Sequence, residues 1–128
     1  MMIRKILVVD DEADLRNLVQ TCLEIMGGWQ VVTAGSGEKA LQEAQNRQLD
    51  LILLDLMMPK MDGLAILEQL RSNEKTRQIP IVLLTAKGRS IESAQFEQFN
   101  VLGMIRKPFN PVQLADQIEA LLSNIRKA

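Results

Sequence analysis

Four short runs of almost unbroken aliphatic side chains each end abruptly in a polar residue. Ile6-Leu7-Val8-Val9 ends in Asp10 and Asp11, and Leu51-Ile52-Leu53-Leu54 ends in Asp55. Ile81-Val82-Leu83-Leu84 ends in Thr85, and Gly103-Met104-Ile105-Arg106 ends in Lys107. Runs this short, apolar at consecutive rather than alternate positions, suit strands covered on both faces, which is the condition of a parallel sheet. Parallel strands finish on one edge, and ligands of open α/β sheets bind at that edge, where strand order reverses. Residues far apart in the chain are therefore expected to converge there: three carboxylates, a hydroxyl and an amine.

Between the runs lie helical segments. Residues 13–26 carry apolar side chains at 15, 18, 19, 22, 23 and 26, the stripe of an amphipathic helix, and Gly27-Gly28 stops it. A shorter strand is expected over 30–34. Ser36 can cap a helix over 37–45 whose inner face is Ala40, Leu41 and Ala44. The third strand is placed at 51–54, followed by a loop and a helix near 64–71. The fourth strand is placed at 81–84 behind Pro80, then a helix over 90–98, a fifth strand near 102–106, and a last helix over 112–125. That helix has its stripe at 114, 115, 118, 121, 122 and 125, and Pro111 suits its first turn. Five βα units in 128 residues predict one α/β domain over 1–128. Its sheet is expected to be doubly wound, five-stranded and parallel, with helices on both faces and strand order 2-1-3-4-5.

Composition narrows the chemistry. The chain has no His and no Tyr, which excludes histidine bases, histidine metal ligands and Ser/His/Asp triads. A formal net charge of −1 offers no field for nucleic acid or an anionic membrane, so neither is an expected direct partner. The apolar stretches are far too short for membrane insertion, and the N-terminus does not read as a signal peptide. The single Cys22 falls on an apolar helical stripe and reads as a core thiol in a reducing compartment, so a cytoplasmic location is expected.

Asp11 could simply cap the first helix, and acids in a first turn suit the helix dipole. That does not explain why a neighbouring strand also ends in Asp55. Two like charges ~4 Å apart repel by about 1 kcal/mol in water and about 4 kcal/mol at an effective dielectric near 20. Asp10, Asp11 and Asp55 brought together are a standing cost unless a cation binds. Oxygen ligands without imidazole favour Mg²⁺ over Zn²⁺. Lys107 adds a second positive group and Thr85 a hydroxyl. Each also has an ordinary reading, as a lysine with its head in water and as a β-branched residue closing a strand. A carboxylate, a hard cation and an amine are the parts that phosphoryl transfer needs, with Asp55, flanked by the others, as the acceptor.

The segments Val8–Glu12, Leu51–Gly63, Ile81–Lys87 and Lys107-Pro108-Phe109, in this order, resemble the receiver domain of two-component response regulators over essentially the whole chain. A stand-alone, chemotaxis-regulator-like member is the expected form. The resemblance implies a phosphorylation-controlled interaction switch that assists its own phosphorylation and dephosphorylation rather than an enzyme acting on others. Asp55 would accept the phosphoryl group from a sensor histidine kinase or histidine phosphotransfer protein. Asp11, Asp55 and the Met57 backbone carbonyl would hold Mg²⁺ directly, and Asp10 through water. Thr85 and Lys107 would contact the phosphoryl group, Lys107–Pro108 would be cis, and Pro59 and Gly63 match the loop after the acceptor. A downstream target protein would read the phosphorylated state through the fourth helix, fifth strand and fifth helix.

The chain departs from the pattern at Met104, where the family usually places the Tyr or Phe that switches with Thr85. It departs again over 99–103, which lacks a small Gly-Ala pair. Met57 and Lys87 occupy the positions that flank the phosphoryl group. Three rivals fit less well. An aspartate-based, Mg²⁺-dependent phosphatase would carry Asp-x-Asp at the first strand and a cap domain. A flavin-binding module would need a Ser/Thr/Gly-rich phosphate loop where Asp10-Asp11-Glu12 stands. A receiver-like scaffold without chemistry would not need the acids and the lysine.

Overall fold

The computed structural model describes residues 4–56, 58, 62–86 and 98–126. The aliphatic runs form β1 (Lys5–Val9), β3 (Leu51–Asp55), β4 (Ile81–Ala86) and β5 (Gly103–Lys107), joined by β2 (Gln30–Ala34). All neighbouring pairs are parallel, and the order is β2-β1-β3-β4-β5. The expected topology is thus the observed one, and the reversal of direction lies between β1 and β3. Helices α1 (Ala13–Gly27), α2 (Gly37–Asn46), α3 (Gly63–Ser72) and α4 (Pro111–Arg126) are described. The helix expected over 90–98 lies outside the described residues apart from its last position.

Two apolar cores explain why the strand runs do not alternate with polar residues. Leu7, Val9, Ile52, Leu54, Ile81 and Leu83 pack with Ala40 and Ala44 of α2 and Ile66, Leu67 and Leu70 of α3. Ile6, Val8, Leu51, Leu53, Val82 and Leu84 pack on the opposite face with Val19 and Leu23 of α1 and Leu114, Ile118 and Leu122 of α4. Fully burying one such side chain contributes about 1.5–3 kcal/mol, so slipping a strand by one residue gains nothing on either face. Register is fixed instead at the polar ends, where Asp55 stands opposite Leu84 and Thr85 opposite Arg106.

Helix starts and stops follow local chemistry. Ser36 caps α2 by accepting from the Lys39 N–H, and Asp62 caps α3 by accepting from the Leu64 N–H at 3.0 Å. Asn110 accepts from the Val112 N–H, which lets Pro111 begin α4. Gly28 closes α1 at φ +67°, a conformation that L side chains rarely adopt. The stripe expected on α1 is wider than its packed face. Val19 and Leu23 are buried, whereas Leu18 and Met26 are about half exposed and Cys22 is only partly covered. The inner faces expected on α2 and α4 agree better: Ala40 and Ala44 of α2, and Leu114, Ala115, Ile118 and Leu122 of α4, are buried.

Candidate functional site

Four polar or charged side chains are buried among the described residues: Asp10, Asp55, Thr76 and Thr85. Thr76 has a structural explanation, because its hydroxyl donates to the Leu70 carbonyl behind α3. The other three are strand-end residues of the aliphatic runs, and they stand on one edge of the sheet.

β1 and β3 are neighbours, so Asp10, one residue past β1, comes beside Asp55, the last residue of β3. The Lys107 ammonium at the end of β5 reaches across to pair with Asp55 Oδ2, and the Asp55 side chain is only 1% exposed. Counting alternation from the two cores puts Asp10, Asp55 and Lys107 on the rows that face α1 and α4. Thr85 and Met104 lie on the rows toward α2 and α3. The edge therefore presents an acid-and-lysine pocket on one side and the Thr85 hydroxyl on the other, with Met104, level with Leu83, two positions further back on the hydroxyl's side. Lys107–Pro108 is cis, as the resemblance implied.

Asp10 is the most informative member. Its Oδ1 accepts from the Glu12 N–H at 3.0 Å, while Oδ2 is buried with no hydrogen-bond partner. Burial pushes the Asp10 carboxyl above the ordinary carboxylate range. The charges of Asp55 and Asp11 push it further, against the Glu12 N–H and the Lys107 ammonium. A buried carboxylate oxygen without a donor, facing two further acids, is a position that a cation would complete. Among the described residues no three acidic, His or Cys side chains stand close enough to hold a metal by themselves. The acids at this edge offer only oxygen donors, which suit a hard ion that keeps several waters, and that fits Mg²⁺. Met57, whose carbonyl was expected to contribute, lies outside the described residues, as do Pro59 and Lys87.

The capping explanation for Asp11 does not hold. The N-cap of α1 is Glu12, its side chain makes no cap hydrogen bond, and Asp11 sits one residue earlier in a bend. Gly63 has a clear local reason. A Cβ there would stand 2.9 Å from Leu56 Cδ2 and 3.0 Å from Leu56 Cα, so only glycine lets α3 start directly over the residue after Asp55. Met104 is about half exposed.

One polar side chain near the strand ends was not picked out from the sequence. Arg16 of α1 donates to the Asp10 main-chain carbonyl at 2.8 Å and lies over Gly35. A signal existed, because a cation close to a helix N-terminus opposes the helix dipole and needs another reason to be there.

These features define a class, a doubly wound α/β domain with an acid-and-lysine pocket at the ends of its strands. Within that class the chain belongs to the response regulator receiver domain family, whose family model matches residues 6–119. It is 39% identical over 121 residues to the alkaline phosphatase synthesis transcriptional regulatory protein PhoP of Bacillus subtilis, covering 94% of this chain and 49% of that one. It is 37% identical to the phosphate regulon transcriptional regulatory protein PhoB of Pseudomonas aeruginosa, covering 93% and 52%. The chain thus spans about half the length of the curated relatives it matches. Among solved structures, the chemotaxis protein CheY4 of Vibrio cholerae aligns with a TM-score of 0.83 at 30% identity, covering 94% of this chain and 99% of that one. Receiver domains are signalling domains controlled by phosphorylation, generally with Mg²⁺, and they interact with histidine kinases and downstream targets.

Proposed function

We propose that Asp55 is the phosphoacceptor of this receiver and that Lys107, Thr85, Asp10 and Asp11 are its working groups. The observation that carries the reading is the Lys107–Asp55 pair inside a buried strand-end pocket that also contains Asp10 with an unsatisfied oxygen. An Asp55 carboxylate oxygen attacks the phosphorus of a phosphohistidine, the P–N bond breaks, and the imidazole leaves with a proton from solvent. Lys107 holds the Asp55 carboxylate in place and offsets charge on the phosphoryl oxygens. Thr85, buried one register step beyond the acceptor's row, donates its hydroxyl to the transferred group.

Asp11 and Asp55, with the Met57 carbonyl, would hold Mg²⁺, and Asp10 would act through a bound water. Bound there, the ion supplies positive charge that lets three acids and a phosphoryl group share one pocket. The domain assists its own phosphorylation and dephosphorylation and acts on no other substrate. It works in the cytoplasm, and no described helix is long and apolar enough to cross a membrane.

The output is a change in protein contacts. A groove of roughly 740 Å³ runs between β5 and α4, lined among others by Met104, Arg106, Phe109, Gln113 and Gln117. Met104 connects the pocket's second side to this groove. A flexible thioether reaches two positions at similar energy, so the coupling is softer than a rigid ring would give. The relatives PhoP and PhoB are transcriptional regulators by name; this domain makes no direct nucleic-acid contact, in keeping with its balanced charge.

The test is transfer from sensor kinases carrying labelled phosphohistidine. The label should move from a cognate kinase to the wild-type chain, while Asp55→Asn leaves it on the kinase. Transfer to Asp55→Asn at the wild-type rate would place the acceptor elsewhere.

A further inference from the structure

Arg16 stands six residues beyond Asp10, and its Nη1 donates to the Asp10 carbonyl at 2.8 Å. The guanidinium lies close against Gly35. A Cβ built there would be 2.9 Å from Nη1, 3.4 Å from Cζ and 3.6 Å from Nη2. Gly35 is not in the left-handed region, since Gly28 is the glycine with positive φ among the described residues. Its missing side chain therefore makes room for the guanidinium rather than for a turn.

Asp10 is gripped on several sides. Its N–H donates to the Ala34 carbonyl at 3.1 Å, Oδ1 accepts from the Glu12 N–H, and its carbonyl accepts from Arg16. Only Oδ2 is left, buried without a partner on a carboxyl that feels the charges of Asp55 and Asp11. A carboxylate among like charges would relax by turning outward to water, and a strand end is where the chain can most easily permit it. The cation that eases the Asp10 charge is Lys107, whereas Arg16 bonds its main chain. The role of Arg16 is thus one of direction rather than neutralisation.

We propose that Arg16, seated on Gly35 and bonded to the Asp10 main chain, is a positioning residue that keeps the Asp10 carboxylate aimed into the pocket and so sets its affinity for a divalent cation. This rests on the reading that Asp10, Asp11 and Asp55 form a cation site. Arg16 itself touches neither the cation nor the phosphoryl group. Partners of metal ligands typically alter affinity by 10–100-fold, and a single main-chain contact belongs at the low end.

The experiment is calorimetric titration of the whole chain with Mg²⁺ alone, with circular dichroism to confirm that each variant is folded. Arg16→Met should weaken binding about tenfold. Gly35→Ala should weaken it comparably, because its methyl group displaces the same guanidinium. The double variant should bind no more weakly than Arg16→Met, and Arg16→Lys, which keeps a donor, should retain most of the affinity. Wild-type affinity in Arg16→Met, or losses that multiply in the double variant, would overturn the proposal. Lower melting temperatures with unchanged Mg²⁺ affinity would also overturn it, since a merely structural role does that. Asp11→Asn separates the two readings. If the wild type binds no Mg²⁺, or Asp11→Asn binds it as tightly, the cation site itself falls.

Discussion

At the edge where the strands begin, Arg71 of α3 divides its guanidinium among the carbonyls of Phe99, Arg77, Ile79 and Asn100, at 2.6 to 3.3 Å. At the edge where they end, Asp10 holds a buried oxygen with no partner beside Asp55 and Asp11. Both edges bury charge. At the first, burial pulls the Arg71 guanidinium below its usual range, but main-chain acceptors surround it and tie the approaches to β4 and β5 onto α3. At the second, like charges crowd together and, among the described residues, the Lys107 ammonium pairs with Asp55. Trp29 Nε1 is also buried without a partner, near the beginning of β2, but a neutral N–H carries a smaller penalty than a carboxylate oxygen. Complete satisfaction suits Arg71 to holding the fold together, whereas the partnerless carboxylate oxygen of Asp10 fits the cation site proposed above.

Breaking the satisfied edge should have the larger effect on stability. Arg71→Ala strips four carbonyls of their donor and should cost roughly 2–4 kcal/mol. Mg²⁺ affinity of the folded fraction should be unchanged. Urea melts and metal titration of the same variant check both halves, and a small loss in the melts would show that water replaces the guanidinium easily.

Neutralising the unsatisfied edge should move stability the other way. Asp10→Asn should raise metal-free stability near neutral pH by roughly 1–2 kcal/mol, because a buried like charge is removed. The sign with pH follows from the raised carboxyl. The wild type is relatively favoured below the ordinary carboxylate value of 3.8, where Asp10 is protonated in both states. That advantage is lost as pH rises through the raised folded-state value, above which the native state carries the charge in full. The gap between Asp10→Asn and wild type should therefore open as pH rises and close as it falls. Metal-free urea melts across that range check it, and an Asp10→Asn variant less stable at neutral pH would mean that its oxygens are better satisfied than the structure indicates.

Much of this was legible in the chain because parallel strands buried on both faces leave an unmistakable aliphatic run. The runs at 6–9, 51–54 and 81–84 gave strands within two residues of those observed, and the strand order is the common doubly wound one that the reading adopted rather than one the alternation dictates. The last strand was displaced by one residue because Leu102 looks like strand, while its N–H already donates to Ile81 as the chain arrives. Asp10, Asp55 and Thr85 could be singled out because a polar residue closing such a run has to be buried. Arg71 could not, and Arg16 offered only the weak signal of a cation near a helix N-terminus. Their guanidinium groups sit several bonds from the main chain and find carbonyls fixed by tertiary packing, up to 29 residues away for Arg71. Helix pattern misled at Leu18 and Met26, since an apolar stripe does not say how much of it a neighbour covers.

The central claim, that Asp55 in the unsatisfied pocket accepts a phosphoryl group with the help of a divalent cation, is tested most directly by intact-protein mass spectrometry after incubation with a small acyl phosphate. The wild type should gain one acid-stable, base-labile phosphoryl group with Mg²⁺ and essentially none when the metal is chelated, and Asp55→Asn should gain none under either condition. Equal phosphorylation of Asp55→Asn, or labelling of the wild type that ignores chelation, would contradict the account.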